Sequence, residues 1–497
     1  MRYKLAARVI VAVIAAVWMR PTLPLTAQTA LATPAMSTLD PGAAVTPVSG
    51  MAIAAHGRTR LEGDLEVVQA YRPGYPFWQH IFTIPDGNIA YGSAADGRLL
   101  AAFPIGGNWA TEGDWADASL APALRERRLP RRLSARRDEV ERVLTEVVGP
   151  VVHNPTRGLF FLPNAQRYGD FLAEWGRIYE RFGVPAEIGL AQAILESGWN
   201  GRVRSGARAL GFCQWLPRNW NKLKRLSPHV IEGYNQTTQA SYCAAYLTIL
   251  STMYDSFIPA LSEHNAGGVN VGRILINGER LGAENIREQY LMGSQFARDL
   301  RQISIPRYRE LVRSYGPRSF RYAEMVFGNI FNVRRLMAEM PQTQIFATRV
   351  PRSTSLAEIV RTTALSEDEI KRFNPALVRR VPARATLYLP THREEFGTDV
   401  SFWHQPAPAD YTDILEEFLG QDATVREWHE RSFVEVLREF ATRFKDTDTE
   451  EGIVMAATLT YMIADLGGSP RPRILEDYRA SGRIQRLFER GRRELAE

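Results

Sequence analysis

The chain has 497 residues, enough for several domains, and a formal charge of +6. Removing residues 1–32 would take four positive charges (Arg2, Lys4, Arg8 and Arg20) and no negative one, which lowers the balance to +2. So small a surplus, with no recognisable nucleic-acid motif, argues against a nucleic-acid partner. Two cysteines and scattered histidines form no ligand cluster and argue against a metal site, and no cofactor is expected.

Residues 1–32 read as a secretory signal peptide. Arg2, Lys4 and Arg8 precede the apolar run Val9–Met19, and Ala30-Leu31-Ala32 is a small-x-small cleavage site. An uncleaved N-terminal anchor is the alternative. No later segment is apolar enough to span a bilayer. Residues 33–60 are predicted to be a disordered lead-in. Residues 61–150 read as a β-rich region and an Arg-rich linker helix. Phe77–Ile84, Asn88–Tyr91 and Arg98–Phe103 are strand candidates, with Asp86-Gly87 and Asp96-Gly97 as turns. Seven arginines between Arg125 and Arg137 form either a patch for anionic polymer or headgroups, or a solvated linker with Ser134 capping the next helix.

From about residue 165 to 335 the pattern is helical. Pro185 can open a helix, and Ile188, Ala191, Ile194 and Leu195 recur at helical spacing. Glu196 adjoins that face, just before a helix stop at Gly198. A carboxyl group among apolar neighbours holds its proton more tightly, as a general acid near neutral pH requires. The plain alternative is a solvated or capping glutamate.

Two further segments follow, Gly211-Phe212-Cys213-Gln214-Trp215-Leu216-Pro217 and Glu263-His264-Asn265-Ala266-Gly267. With Glu196-Ser197 they resemble the lytic transglycosylases related to soluble lytic transglycosylase and goose-type lysozyme. That family shows Glu-Ser, then Gly-Leu-Met-Gln-x-x-Pro, then Ala-Tyr-Asn-Ala-Gly. In this chain Phe212 and Cys213 replace Leu and Met, and Glu263 and His264 replace Ala and Tyr. The resemblance implies a mostly helical, lysozyme-like catalytic domain over residues 151–335. It also implies a single acid/base, Glu196, that cleaves the β-1,4 MurNAc–GlcNAc bond of peptidoglycan and leaves a 1,6-anhydro end. Ser197, Gly211, Gln214, Asn265, Ala266 and Gly267 would bind substrate. Tyr322 is the candidate for the family's later tyrosine, and Tyr290 the alternative. A hydrolytic muramidase of the same fold and a non-catalytic peptidoglycan-binding scaffold are the rival readings. Cys213 and Cys243 form either a disulfide that fastens the glutamine-motif loop to a core helix, or two buried thiols that never meet.

Residues 342–391 resemble a LysM module, a βααβ unit that binds N-acetylglucosamine polymers, through Ser355, Leu356, Ile359, Asn374, Pro375 and Leu377. A LysM-like module after the catalytic domain is similar to the arrangement in membrane-bound lytic transglycosylase D. Residues 400–497 read as a helical C-terminal region. The expected fold class is therefore α+β multidomain. The expected partners are glycan strands and cell-wall synthesis or division machinery. The periplasm is the expected location, with secretion as the alternative.

Overall fold

The computed structural model describes residues 50–400, apart from 126, 218–219, 222–228, 281 and 304–320. The signal-peptide and C-terminal readings therefore lie outside the described residues. Among those described, the molecule is mostly helical with small sheets, and no helix is long and apolar enough to cross a membrane.

The first helix, α1 (Gly50–Tyr71), corrects the expected lead-in. Residues 50–60 of that segment are helical and continue into residues 61–71, which bury Leu61, Asp64 and Val68, while Arg60 is itself buried. Asp64 accepts hydrogen bonds from Ser256 Oγ (2.7 Å), Phe257 N (2.6 Å) and Arg287 Nε (2.6 Å). Arg60 Nε donates to Asp255 at 3.0 Å.

The β-rich region is a four-stranded sheet in the order β3-β2-β1-β4: β1 (Asn88–Ser93), β2 (Leu99–Pro104), β3 (Asp114–Trp115) and β4 (Val151–Pro155). β1 and β2 are antiparallel, Asn88 facing Pro104, around a turn where Gly97 takes φ +73°. Helix α2 (Leu133–Val148) covers one face with Val140, Val143 and Leu144, which pack against Tyr91, Phe103 and Trp109. Three expectations change here. Phe77–Ile84 is a 3-10 turn (Tyr75–Phe77) and a short helix (Trp78–Ile81), because buried Phe77, Trp78, Ile81 and Phe82 recur at helical, not alternating, spacing. Ser134 lies inside α2 rather than capping it, with Arg132 at the N-cap. The boundary set at 150 cuts this sheet, since β4 pairs with β1.

The arginine segment is partly built into the fold. Arg136 donates to the carbonyls of Pro130, Gly107 and Arg131 and lies over the Trp109 ring. Arg125, Arg127, Arg128, Arg131 and Arg132 are exposed.

The helical body comprises α3 (Gly158–Tyr168), α4 (Leu172–Arg181), α5 (Ala186–Ser197), α6 (Gln236–Tyr254), α7 (Phe257–Ala266), α8 (Gly268–Arg280), α9 (Ile286–Ile303) and α10 (Tyr322–Glu339). α5 is apolar on nearly every side and runs through the core, as expected of a helix wrapped by others. α10 and α4 pack on it. α4 comes so close at Gly189 that an added Cβ would sit 2.1 Å from the Tyr179 ring.

After α10 come β5 (Phe346–Arg349), β6 (Thr354–Ser355), α11 (Leu356–Thr363), α12 (Glu367–Phe373), β7 (Arg380–Val381), β8 (Thr386–Leu389) and β9 (Thr398–Asp399). Ser355 and Ser366 cap the two helices through the backbone N–H groups of Glu358 and Glu369. β5 pairs antiparallel with β8, Phe346 facing Leu389, so the unit has the order βααβ. It is docked on the helical body. Asn235 Nδ2 donates to Phe373 O (2.7 Å), the Thr238 and Tyr388 hydroxyls meet at 2.6 Å, and Thr386 N and Oγ1 both donate to Glu232. Arg372 grips Asp170 at 2.7 Å.

Candidate active site

Glu196 occupies the last turn of α5. Gly198 ends the helix in the left-handed region (φ +56°), the C-cap conformation glycine favours. Only 12% of the Glu196 side chain is exposed. Loss of solvation raises its carboxyl to about 7 from the ordinary 4.5, a rise that the hydrogen bond from Tyr322 partly offsets. Tyr322, at the start of α10, donates its hydroxyl to Glu196 Oε1 at 2.5 Å. Burial and the neighbouring Glu196 raise the phenol well above its ordinary range, so Tyr322 stays a donor.

His264, in the last turn of α7, brings Nε2 to 3.7 Å from the same Oε1. That Nε2 also lies 2.8 Å from the Cys213 carbonyl oxygen. A carbonyl can only accept, so Nε2 carries the hydrogen and Nδ1 is bare. Burial lowers this imidazole to about 4, and it is neutral at physiological pH. Both neighbours address Oε1. Oε2 has no hydrogen bond among the described residues. It is the oxygen left to carry the proton.

The loop after α5 is closed by the Cys213–Cys243 disulfide (Cα–Cα 5.6 Å), which joins it to α6. Gln214 sits there with φ +47°, and its Nε2 donates to the carbonyls of Val203 and Gly211, each at 3.2 Å. Its amide nitrogen therefore holds the loop. Gly211, expected to let the backbone approach a glycan, is buried instead. It takes φ +65°, and a Cβ there would sit 2.2 Å from Gln239 Oε1. Ser197, expected at the substrate, is fully buried and donates back to Ala193 O at 3.1 Å. Asn265, Ala266 and Gly267 directly follow His264 at the end of α7. Asn265 and Gly267 are exposed, and Gly267 (φ +83°) has open space around it.

Tyr290, the alternative tyrosine, is fully buried and bonded to Ser262, so it does not take the Tyr322 position. Two other carboxylates are committed elsewhere. Glu187 pairs with Arg334 at 3.1 Å, and Glu263 accepts from the Tyr254 hydroxyl. No group of three potential metal ligands occurs among the described residues.

Two members of this cluster were not singled out from the sequence. His264 was visible only as a departure from the family pattern. Gln192 stands one turn before Glu196, an i−4 spacing that places it on the same helix face. It is 2% exposed, its Nε2 has no other partner, and it faces the Tyr322 hydroxyl.

Residues 174–286 match the family described as Transglycosylase SLT domain. The match runs from α4 to the start of α9. It includes Glu196, Gln214 and His264 and ends before Tyr322. The domain indicates lytic-transglycosylase-type action on peptidoglycan. No curated protein matches the chain.

Proposed function

We propose that the protein is a peptidoglycan lytic transglycosylase in which Glu196 alone serves as acid and then base. The observation that carries this reading is a nearly buried carboxyl, raised to about 7, with one oxygen held by Tyr322 and the other free. Near neutral pH a large fraction keeps its proton, which a general acid needs.

In this scheme the Oε2 proton passes to the glycosidic oxygen between MurNAc and GlcNAc. The C1–O bond breaks, its electron pair stays on that oxygen, and the departing sugar leaves with a free hydroxyl. The MurNAc C6 hydroxyl attacks C1 and returns its proton to Glu196. The product is a 1,6-anhydro ring, and no water is consumed. Attack from within the same sugar gains from proximity and replaces the second carboxylate that an ordinary glycosidase uses. The commitment of Glu187 and Glu263 to other partners supports this choice.

Asn265 and Gly267, exposed beside His264, would meet the glycan. The βααβ unit is read as a LysM-type accessory glycan binder. The disulfide suits an oxidising compartment, which supports export and a periplasmic location.

The test is digestion of purified sacculi with wild type and Glu196→Gln, followed by mass spectrometry of the muropeptides. Wild type should release anhydro-ended products, and the variant should be slower by roughly 10²-fold or more. Reducing ends would replace this reading with hydrolysis. Equal release by both proteins would remove Glu196 from the chemistry.

A further inference from the structure

The position that the resembling family fills with tyrosine holds His264 here, and the geometry gives it a defined task. Its Nε2 has two acceptors near it, the Cys213 carbonyl oxygen, hydrogen-bonded at 2.8 Å, and Glu196 Oε1, at 3.7 Å. We infer that His264 is a positioning residue whose Nε2–H serves as a second donor to Glu196, closing on Oε1 once the acid has released its proton. The inference rests on the reading of Glu196 as the acid.

With Glu196 protonated, the Cys213 carbonyl is the better acceptor and the N–H stays on it. A carboxylate is a stronger acceptor than a neutral carbonyl, and a charge-assisted bond forms at shorter range. A shift of under 1 Å by either side chain would bring Nε2 into bonding distance of Oε1, given the 3.7 Å separation. The imidazole is braced for this. Its side chain is 6% exposed, and its ring packs on Tyr246 of α6 with centroids 5.6 Å apart. Cys213, which anchors it, is tied to α6 by the disulfide. The disulfide thus fixes the donor as well as the loop.

Among the described residues, the titratable groups around Glu196 are few. Tyr322 of α10 touches it. Tyr179 of α4 acts on Tyr322, and His264 of α7 faces Oε1 with Tyr246 of α6 behind it. The loop contributes the Cys213 carbonyl and Gln214, neither of which titrates. Burial keeps His264 neutral over the range in which Glu196 titrates, so its effect on the carboxylate is that of an N–H dipole and not of a full charge.

The test needs no substrate. Carbon-13 NMR of the Glu196 side-chain carboxyl, assigned by its loss in Glu196→Gln, is titrated from about pH 4 to about pH 9. The wild-type midpoint should fall at about 7. His264→Phe keeps a ring but removes the donor, and should raise the midpoint by roughly one unit. His264→Tyr restores a donor and should bring it back. On sacculi, the alkaline limb of the kcat profile should move with the midpoint, and kcat should drop roughly tenfold in the Phe variant with KM little changed. If His264→Phe does not fold, His264→Gln, which keeps an N–H, takes its place and should leave the midpoint near the wild-type value. An unmoved midpoint in folded His264→Phe, or a displaced one in both Tyr and Gln variants, overturns the inference. An inactive wild type that still shows the midpoint shift would sink the enzymatic reading and leave the His264–Glu196 coupling standing.

Discussion

Burial acts on Glu196 and His264 in opposite senses, raising one to about 7 and lowering the other to about 4. In each case the charged form is disfavoured, and between those values the pair carries no net charge. The consequence for stability follows by linkage. The native Glu196 keeps its proton up to about 7, whereas the unfolded chain loses it near 4.5, so its contribution declines as pH rises through that window. His264 works the other way. The unfolded chain binds a proton below about 6.5 that the folded one refuses until about 4, so stability recovers as pH rises from 4 to 6.5. Glu196→Gln should therefore leave stability unchanged near pH 4 and raise it by about 3 kcal/mol at pH 8, measured by urea denaturation at both values. No gain at pH 8 would mean that the carboxyl is less buried than described. Glu196 was legible in the sequence because an apolar helical stripe ends at it beside a glycine stop and two further motifs of the resembling family follow in order; the helix alone would have favoured a plain solvated glutamate. Tyr322 was reached only through the family motif, since no spacing rule links residues 126 positions apart. Ser197 and Gly211 were carried over by motif in the same way. A motif says that a residue type is needed, but not whether it faces a ligand or the protein's own Ala193 and Gln239.

The elements that sequence patterning misread are those whose reason for folding is tertiary. Helix α1 has weak amphipathic character of its own, yet Asp64 ties it to the start of α7 and to Arg287 on α9. Composition around residues 33–60 gave no sign of those distant partners. Asp64→Ala would leave Arg287 Nε and the Ser256 hydroxyl without their acceptor, while Arg287 Nη2 keeps the Asp255 carbonyl. The expected cost is about 3 kcal/mol, read by urea denaturation, with faster proteolytic cleavage within residues 50–71. Asp64→Asn, which still accepts hydrogen bonds, should cost less. The Phe77–Ile84 segment failed for the opposite reason. Its aromatic and β-branched residues favour strands by type, but Phe77, Trp78, Ile81 and Phe82 can be buried together only on a helix that packs against α10 at Gly328. By contrast, the turns at Asp86-Gly87 and Asp96-Gly97 were legible because their chemistry is local.

At the scale of the whole molecule, the βααβ unit meets the helical body through polar contacts centred on the start of α6 and through Phe373, whose ring packs on Phe171. Asn235 caps α6 with its side-chain oxygen and reaches Phe373 with its nitrogen, so one residue serves both the helix and the docking. Thr238, Glu232 and Asp170 add contacts to Tyr388, Thr386 and Arg372. Such a mount differs from a unit on a flexible tether, which samples many separations. A strand gripped by this unit would present its bonds to Glu196 at one set distance, as a ruler does, and the cuts would cluster at a preferred fragment length. Arg372→Ala combined with Tyr388→Phe should loosen the mount and broaden the distribution of fragment lengths, resolved by chromatography of the digests. An equally broad distribution from the wild type would show that no such measurement is made.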